Sequence, residues 1–223
     1  MSLLRKTAAL LPAHWQAELK RFYYRRQITR GIFRSPEPEY DILSDFITEG
    51  DWVLDVGANV GHYTRRFSEL VGAMGRVIAF EPMPATFSLL AANVQAFAHA
   101  NVTLMNVAVS DCCSTVSMSV PRLADGSINY YEAHICSTMG DCVPVVTVPV
   151  DSLGIDRRIT LVKIDTEGHE LFVINGMSRI IAAHKPVLIV ETNSKETVER
   201  LVAFGYTQER LPGSPNCLFR PTP

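Results

Sequence analysis

Apolar residues fall into short dense runs separated by amphipathic stretches. "DWVLDVG" (51–57), "RVIAFEP" (76–82), "VTLMNVAV" (102–109), "ITLVKID" (159–165) and "KPVLIVETN" (185–193) read as buried strands. Helical periods lie between them. Residues 63–70 follow the first strand, "TFSLLAANVQAF" (86–97) sets Leu89, Leu90 and Val94 on one face, and "ELFVINGMSRIIAAH" (170–184) continues past a weak point at Gly176. "KETVERLVAFG" (195–205) is closed by Gly205, and "YDILSDFI" (40–47) forms a short helix. Strands alternating with helices predict a mostly parallel sheet with helices on both faces. "STVSMSVP" (114–121) alternates as a half-exposed edge strand does, "VPVVTVPVDSL" (143–153) is extended, and "YTQERL" and "NCLFRP" pair as a hairpin across "PGSPN". Residues 122–141 fit no period and form a long loop, of a length usually functional or disordered.

Composition adds little until charge is read by position. The 223 residues, 47% hydrophobic and 20% charged, suit a globular chain of one domain with an appendage. No apolar run reaches the roughly 18 residues of a membrane span. The opening "MSLLRKTAALLPAHW" is interrupted too soon for a signal peptide, so a cytoplasmic protein is expected. Five cysteines, an odd number without a C-x-x-C pair, read as reduced thiols rather than a zinc site. The net charge of −2 hides an asymmetry: residues 1–34 hold eight Lys or Arg against Glu18 alone, +7, and the remainder carries −9. A basic helical arm with its linker "RSPEPEY" is therefore expected over residues 1–38, and a separate domain over 39–223. The arm is either a solvated helix or a device for capturing an anionic substrate or surface. No nucleic-acid partner is expected, and a homo-oligomer is left open.

In an open parallel sheet, ligands bind beyond the carboxyl ends of the strands. Asp55-Val56-Gly57-Ala58-Asn59-Val60-Gly61, Glu81, Asn106 to Ala108, Asp165, and Glu191 with Asn193 all follow strand ends. The first turn is not a dinucleotide turn. A pyrophosphate asks for G-x-G-x-x-G, whereas here the order is Asp-x-Gly-x-x-x-Gly, with Asp55 placed where a pyrophosphate would be repelled. An acidic site suits S-adenosylmethionine, which carries a sulfonium, an amino group and a ribose but no phosphate. Glu81 is placed to accept from both ribose hydroxyls. A nicotinamide-dependent oxidoreductase and a non-catalytic nucleotide-binding module are the alternatives.

"VLDVGANVGHYT", "VIAFEPMPATFSLLAANV", "NVAVSD" and "LVKIDTEGHELFVINGM" together resemble the FkbM family of S-adenosylmethionine-dependent methyltransferases, over about residues 51–193. The resemblance implies a class I, Rossmann-like fold with a seven-stranded sheet. It also implies methyl transfer, commonly onto hydroxyls of sugars, glycans or polyketide-type metabolites. The cofactor residues expected are Asp55, Gly57, Ala58, Asn59, Gly61, Tyr63, Thr64, Glu81, Pro82, Asn106, Val107, Ala108 and Asp165.

An alcohol is a poor nucleophile until its proton is drawn away, so a base is expected near the methyl group. Asp165 stands nearest the cofactor, with Glu167 and His169 beside it in "DTEGHE"; His62 and His134 are further candidates. Asn129, Tyr130, Tyr131 and His134 of the long loop, with Glu191 and Asn193, are the expected acceptor contacts. Asp165, Glu167, His169 and Glu191 are hard ligands of the kind magnesium prefers, but no spacing fixes a coordination set, and no metal is assigned. "NVT" at Asn101 matches a glycosylation acceptor yet opens a buried strand, and reads as accidental.

Overall fold

A computed structural model describes residues 12–119, 134–135 and 142–222, with backbone alone at Ala13, His134 and Ile135. The strands form a seven-stranded sheet and a smaller four-stranded one. In the large sheet β1 (Trp52–Val56) lies between β2 (Arg76–Phe80) and β8 (Ile159–Ile164), paired parallel with both. Outward from β2 comes β3 (Val102–Met105), and outward from β8 come β9 (Val187–Glu191), β11 (Asn216–Pro221) and β10 (Tyr206–Arg210). β11 runs antiparallel to β9, and β10–β11 is the expected hairpin. The central strands are buried on both faces, which is why they read as continuous apolar runs. One face packs on α2 (Glu39–Ile42) and α3 (His62–Val71) through Tyr40, Leu43, Phe67 and Val71. The other packs on α5 (Glu170–Gly176), α6 (Ser178–His184) and α7 (Lys195–Ala203) through Val173, Ile174, Ile181 and Leu201.

Four expectations change. The run "VTLMNVAV" is not one strand: β3 stops at Met105, and β4 (Ala108–Val109) leaves the sheet. β4 joins β7 (Cys142–Val148), β5 (Ser114–Ser119) and β6 (His134–Ile135) in the second sheet, so "STVSMS" is half exposed but is not an edge of the main sheet. The 170–184 helix breaks at Met177, after Gly176, where a Cβ would meet the Ser110 carbonyl oxygen at 1.9 Å. The segment read as a linker is docked, with Ser35, Glu39 and Tyr40 buried.

α1 (Ala13–Thr29), the basic arm, packs on α4 (Pro84–Val94): Tyr24, Ile28 and the fully buried Phe33 meet Val60 and Leu89. Asn101, the apparent glycosylation acceptor, is buried, and its amide donates to Ser68 O at 2.9 Å and Gly72 O at 2.7 Å. Among the described residues no disulfide forms, and no helix is long and apolar enough to cross a membrane.

Candidate active site

From β1 and β8 the chain builds opposite halves of the sheet, β2 and β3 on one side and β9 onward on the other, and a crevice opens beyond their carboxyl ends. The cavity there is lined by Gly57, Asn59, Glu81, Pro82, Met83, Val107, Ala108, Met118, Asp165, Thr166, Glu167, His169 and Glu191 among others. Gly57 (φ +82°) is needed for a reason internal to the fold: a Cβ would stand 1.8 Å from the Asp165 carbonyl oxygen. Gly61 (φ +96°) caps α3 in a left-handed conformation that L side chains rarely adopt. Gly57→Ala is expected to cost on the order of 3 kcal/mol, the overpacking of two backbones plus a left-handed φ. Denaturant unfolding checks this, and an unchanged midpoint would contradict the close approach.

Two buried carboxylates stand at the ends of β1 and β2. Glu81 Oε2 accepts from Asn59 N and Oε1 from Met83 N, both at 2.9 Å. Burial nevertheless pushes its carboxyl up to about 7. Asn106 donates to the Glu81 and Pro82 carbonyls at 2.8 and 2.9 Å, and so holds the chain at the end of β2. Asp55 is buried, and Thr64 Oγ1 donates to its Oδ2 at 2.6 Å. Its Oδ1 has no donor among the described residues. Burial raises the Asp55 carboxyl to about 6, against the pull of Lys163.

Lys163 is the residue that reading the sequence missed. A lone lysine inside the apolar run "ITLVKID" was its signal. It is 3% exposed, its ammonium lies 2.8 Å from Asp165 Oδ2, and it sits 4.6 Å from the Tyr63 ring centroid. Burial alone would lower its pKa, but Asp165 and Asp55 hold it above the ordinary lysine value. Tyr63 in turn donates to Glu37 Oε2 at 2.6 Å and lies 3.0 Å from Glu39 Oε1, which also accepts from Asn216. Burial and these carboxylates push the Tyr63 hydroxyl far up, so it keeps its proton.

The expected residues therefore separate into two groups. Gly57, Asn59, Glu81, Pro82, Val107, Ala108 and Asp165 line the cavity, while Asp55, Ala58, Gly61, Tyr63, Thr64 and Asn106 stand behind it and hold its walls. His62 is not at the cavity: its ring packs at a tilt against Phe33, centroids 4.2 Å apart, under the arm, and burial lowers its pKa to about 4. His169 does line the cavity, with Nε2 3.0 Å from Ser110 Oγ and its ring stacked on Phe172. Burial lowers its pKa as well.

A second, open groove is lined by Glu167, Gly168, Glu170, Glu191, Thr192, Asn193, Ser194 and Glu196 among others, and it shares Glu167 and Glu191 with the first cavity. Burial, with Asp165 and Glu167 beside it, raises the Glu191 carboxyl to about 7. Glu170 is committed to the turn, accepting from Gly168 N at 2.8 Å and Thr166 Oγ1 at 3.0 Å. Among the described residues no three His, Cys, Asp or Glu side chains gather as a metal site. Asn129, Tyr130, Tyr131 and the His134 side chain lie outside the described residues, and no described residue of the arm lines either cavity.

A sheet ordered in this way, with an acidic crevice at its reversal point, is that of a class I methyltransferase. The chain belongs to the FkbM methyltransferase family, whose domain matches residues 55–211. It is 30% identical over 152 residues to the hexuronic acid methyltransferase AglP of Haloferax volcanii, across 66% of this chain and 59% of that one, so it spans less than two thirds of that relative. The crystal structure of a methyltransferase FkbM from Methylobacillus flagellatus KT is similar with a TM-score of 0.54 and 19% identity, over 76% of this chain and 43% of that one. Aeropyrum pernix fibrillarin, solved with natively bound S-adenosyl-L-methionine, reaches 0.50 at 12% identity, over 82% and 72%. At these identities the two structures show a shared fold alone.

The cofactor is S-adenosylmethionine. The donor set fits it: the lining offers carboxylates and no Lys or Arg, and the orphaned Asp55 Oδ1 behind it is a further acceptor. Such a lining suits hydroxyls and cationic groups and offers no lysine or arginine to a phosphate. We propose that Glu81 is the residue that would hold the ribose hydroxyls. Only the ionised carboxylate accepts from both, so affinity should fall as pH drops through about 7. The dissociation constant for S-adenosylmethionine is expected to rise about tenfold from pH 8 to pH 6. Calorimetry across that range tests this, and a flat profile would place the ribose elsewhere.

Proposed function

We propose that the chain methylates a hydroxyl of a sugar-type acceptor, with Glu191 as the general base. The observation that carries this reading is the position of Glu191, on the wall common to the cofactor cavity and the open groove. A carboxyl raised to about 7 is ionised often enough to take a proton near neutral pH and basic enough to draw one from an alcohol. Asp165, the base favoured on sequence grounds, has Oδ2 committed to the Lys163 ammonium, and we assign it to the cofactor side.

When bound, S-adenosylmethionine supplies an activated methyl group on its sulfonium. The chain's part is to place the acceptor oxygen in line and to remove its proton. Glu191 accepts that proton, while Glu167 and Asn193, both on the groove, accept from and donate to the other hydroxyls of the acceptor. The groove carries Glu167, Glu170, Glu191 and Glu196 and no Lys or Arg among its lining residues. It therefore suits a hydroxyl-presenting sugar better than the carboxylate of a hexuronate, although the hexuronic acid methyltransferase relative supports a sugar acceptor in general.

The test is methyl transfer from labelled S-adenosylmethionine to a panel of hexose and hexuronate glycosides. Label in an alkali-stable ether on a neutral hexose is the expected result. Label found only in an alkali-labile ester on hexuronates would overturn the hydroxyl assignment.

A further inference from the structure

α1 carries two apolar stripes, and the fold uses one. At about 100° per residue, Ala17, Arg21, Tyr24 and Ile28 share a face. That face is docked: Tyr24 and Ile28 are buried, and Arg21 donates to Ser88 of α4 at 2.7 Å. Trp15, Leu19, Phe22 and Arg26 form the opposite face, with Tyr23 and Arg30 along its border. Trp15 is 56% exposed, Leu19 47%, Phe22 66% and Tyr23 56%. A helix held to its domain by one stripe has no folding use for a second one of aromatic rings, and large apolar residues clustered on a surface mark a binding face. The other exposed large hydrophobics among the described residues are Ile32, just beyond the end of α1, and Met74, Val146, Phe172 and Val202, which are scattered over separate parts of the chain.

Arg25, Arg26 and Arg30 lie beside this stripe, and among the described residues none has a carboxylate partner. Residues 1–34 carry +7 while the rest of the chain carries −9. An anionic surface would therefore attract the arm and repel the remainder, which fixes the orientation of docking. A second copy of the chain fits poorly, because two stripes packed face to face would bring the same arginines together. Aromatic rings with arginines on one exposed helix face are the composition of a helix that lies in a lipid interface.

We propose that the outward face of α1 docks the protein on an anionic lipid surface, with Trp15, Leu19 and Phe22 entering the interface and Arg25, Arg26 and Arg30 meeting the lipid headgroups. The binding is peripheral and reversible, and it needs no spanning helix.

The experiment is co-sedimentation of the full chain with vesicles of phosphatidylglycerol mixed with phosphatidylcholine, against phosphatidylcholine alone. Binding to the anionic vesicles is expected, with little to the zwitterionic ones. It should weaken from 0.1 M to 1 M salt, as the Debye length shrinks from about 10 Å to about 3 Å. The Arg25→Gln, Arg26→Gln, Arg30→Gln triple variant should lose roughly fivefold in partitioning per arginine. The Trp15→Ser, Phe22→Ser double variant should lose roughly tenfold per ring. Both sets of side chains are exposed, so circular dichroism and melting should match the parent chain. Failure of the parent to bind anionic vesicles at low salt would overturn the proposal, as would equal binding to both vesicle types or unchanged binding by both variants. Sedimentation velocity showing a dimer that the Trp15→Ser, Phe22→Ser variant lacks would assign the stripe to a second copy instead. None of these measurements depends on the methyl acceptor.

Discussion

Glu191→Gln is expected to lower methyl-transfer turnover on the order of a hundredfold to ten-thousandfold, the usual cost of removing a general base. The amide keeps the shape of the side chain at the wall between cavity and groove but cannot take a proton. Cofactor affinity should stay within a few-fold of the parent, because Glu81 and not Glu191 faces the ribose in this reading. In the parent, kcat should fall as pH drops below about 7, where Glu191 becomes protonated. The variant should lose that limb. The decisive comparison is with Asp165→Asn in the same single-turnover assay. If Asp165→Asn abolishes transfer and Glu191→Gln does not, the base is Asp165 after all.

Glu81→Ala is expected to weaken S-adenosylmethionine binding by roughly 1.5–3 kcal/mol, about tenfold to more than a hundredfold, as for hydrogen bonds to a charged group. The carboxylate also accepts from Asn59 N and Met83 N, so its loss frees both edges of the turn that faces the ligand. Folding should suffer less than binding, because the alanine removes a buried charge that is costly at neutral pH. The sign follows from its raised carboxyl: the cost of its ionisation to the ligand-free fold builds up as pH rises from the ordinary glutamate range to about 7 and is fully present above that, and it vanishes in the variant. Calorimetry with S-adenosylhomocysteine, alongside melting at pH 8, separates the two effects. Unchanged affinity with a normal melt would place the ribose on another residue.

The amino-acid sequence by itself determined the central strands and what stands at their ends. β1, β2, β8 and β9 are buried over most of their length, so each reads as a short dense run of apolar residues. Residues at the carboxyl ends of parallel strands face the same crevice whatever the rest of the chain does. Glu81, Asp165 and Glu191 could therefore be read from position alone.

The tertiary structure decided how those acids divide the work. Lys163 is two residues from Asp165, but it becomes that residue's partner only because burial from both sides leaves the ammonium no other place. Glu39 meets Asn216 across 177 residues, and Tyr63 meets Glu37 across 26; no local pattern encodes such pairs. His62 sits at a helix start, which suggested a site residue, yet the docked arm covers it with Phe33. The second sheet depends on β5 finding β7 rather than β3, and alternation along "STVSMS" shows which side of a strand is buried but not which strand lies beside it. Glu191 is raised first by burial and then by Asp165 and Glu167, and β8 lying next to β9 brings the β8 end beside it.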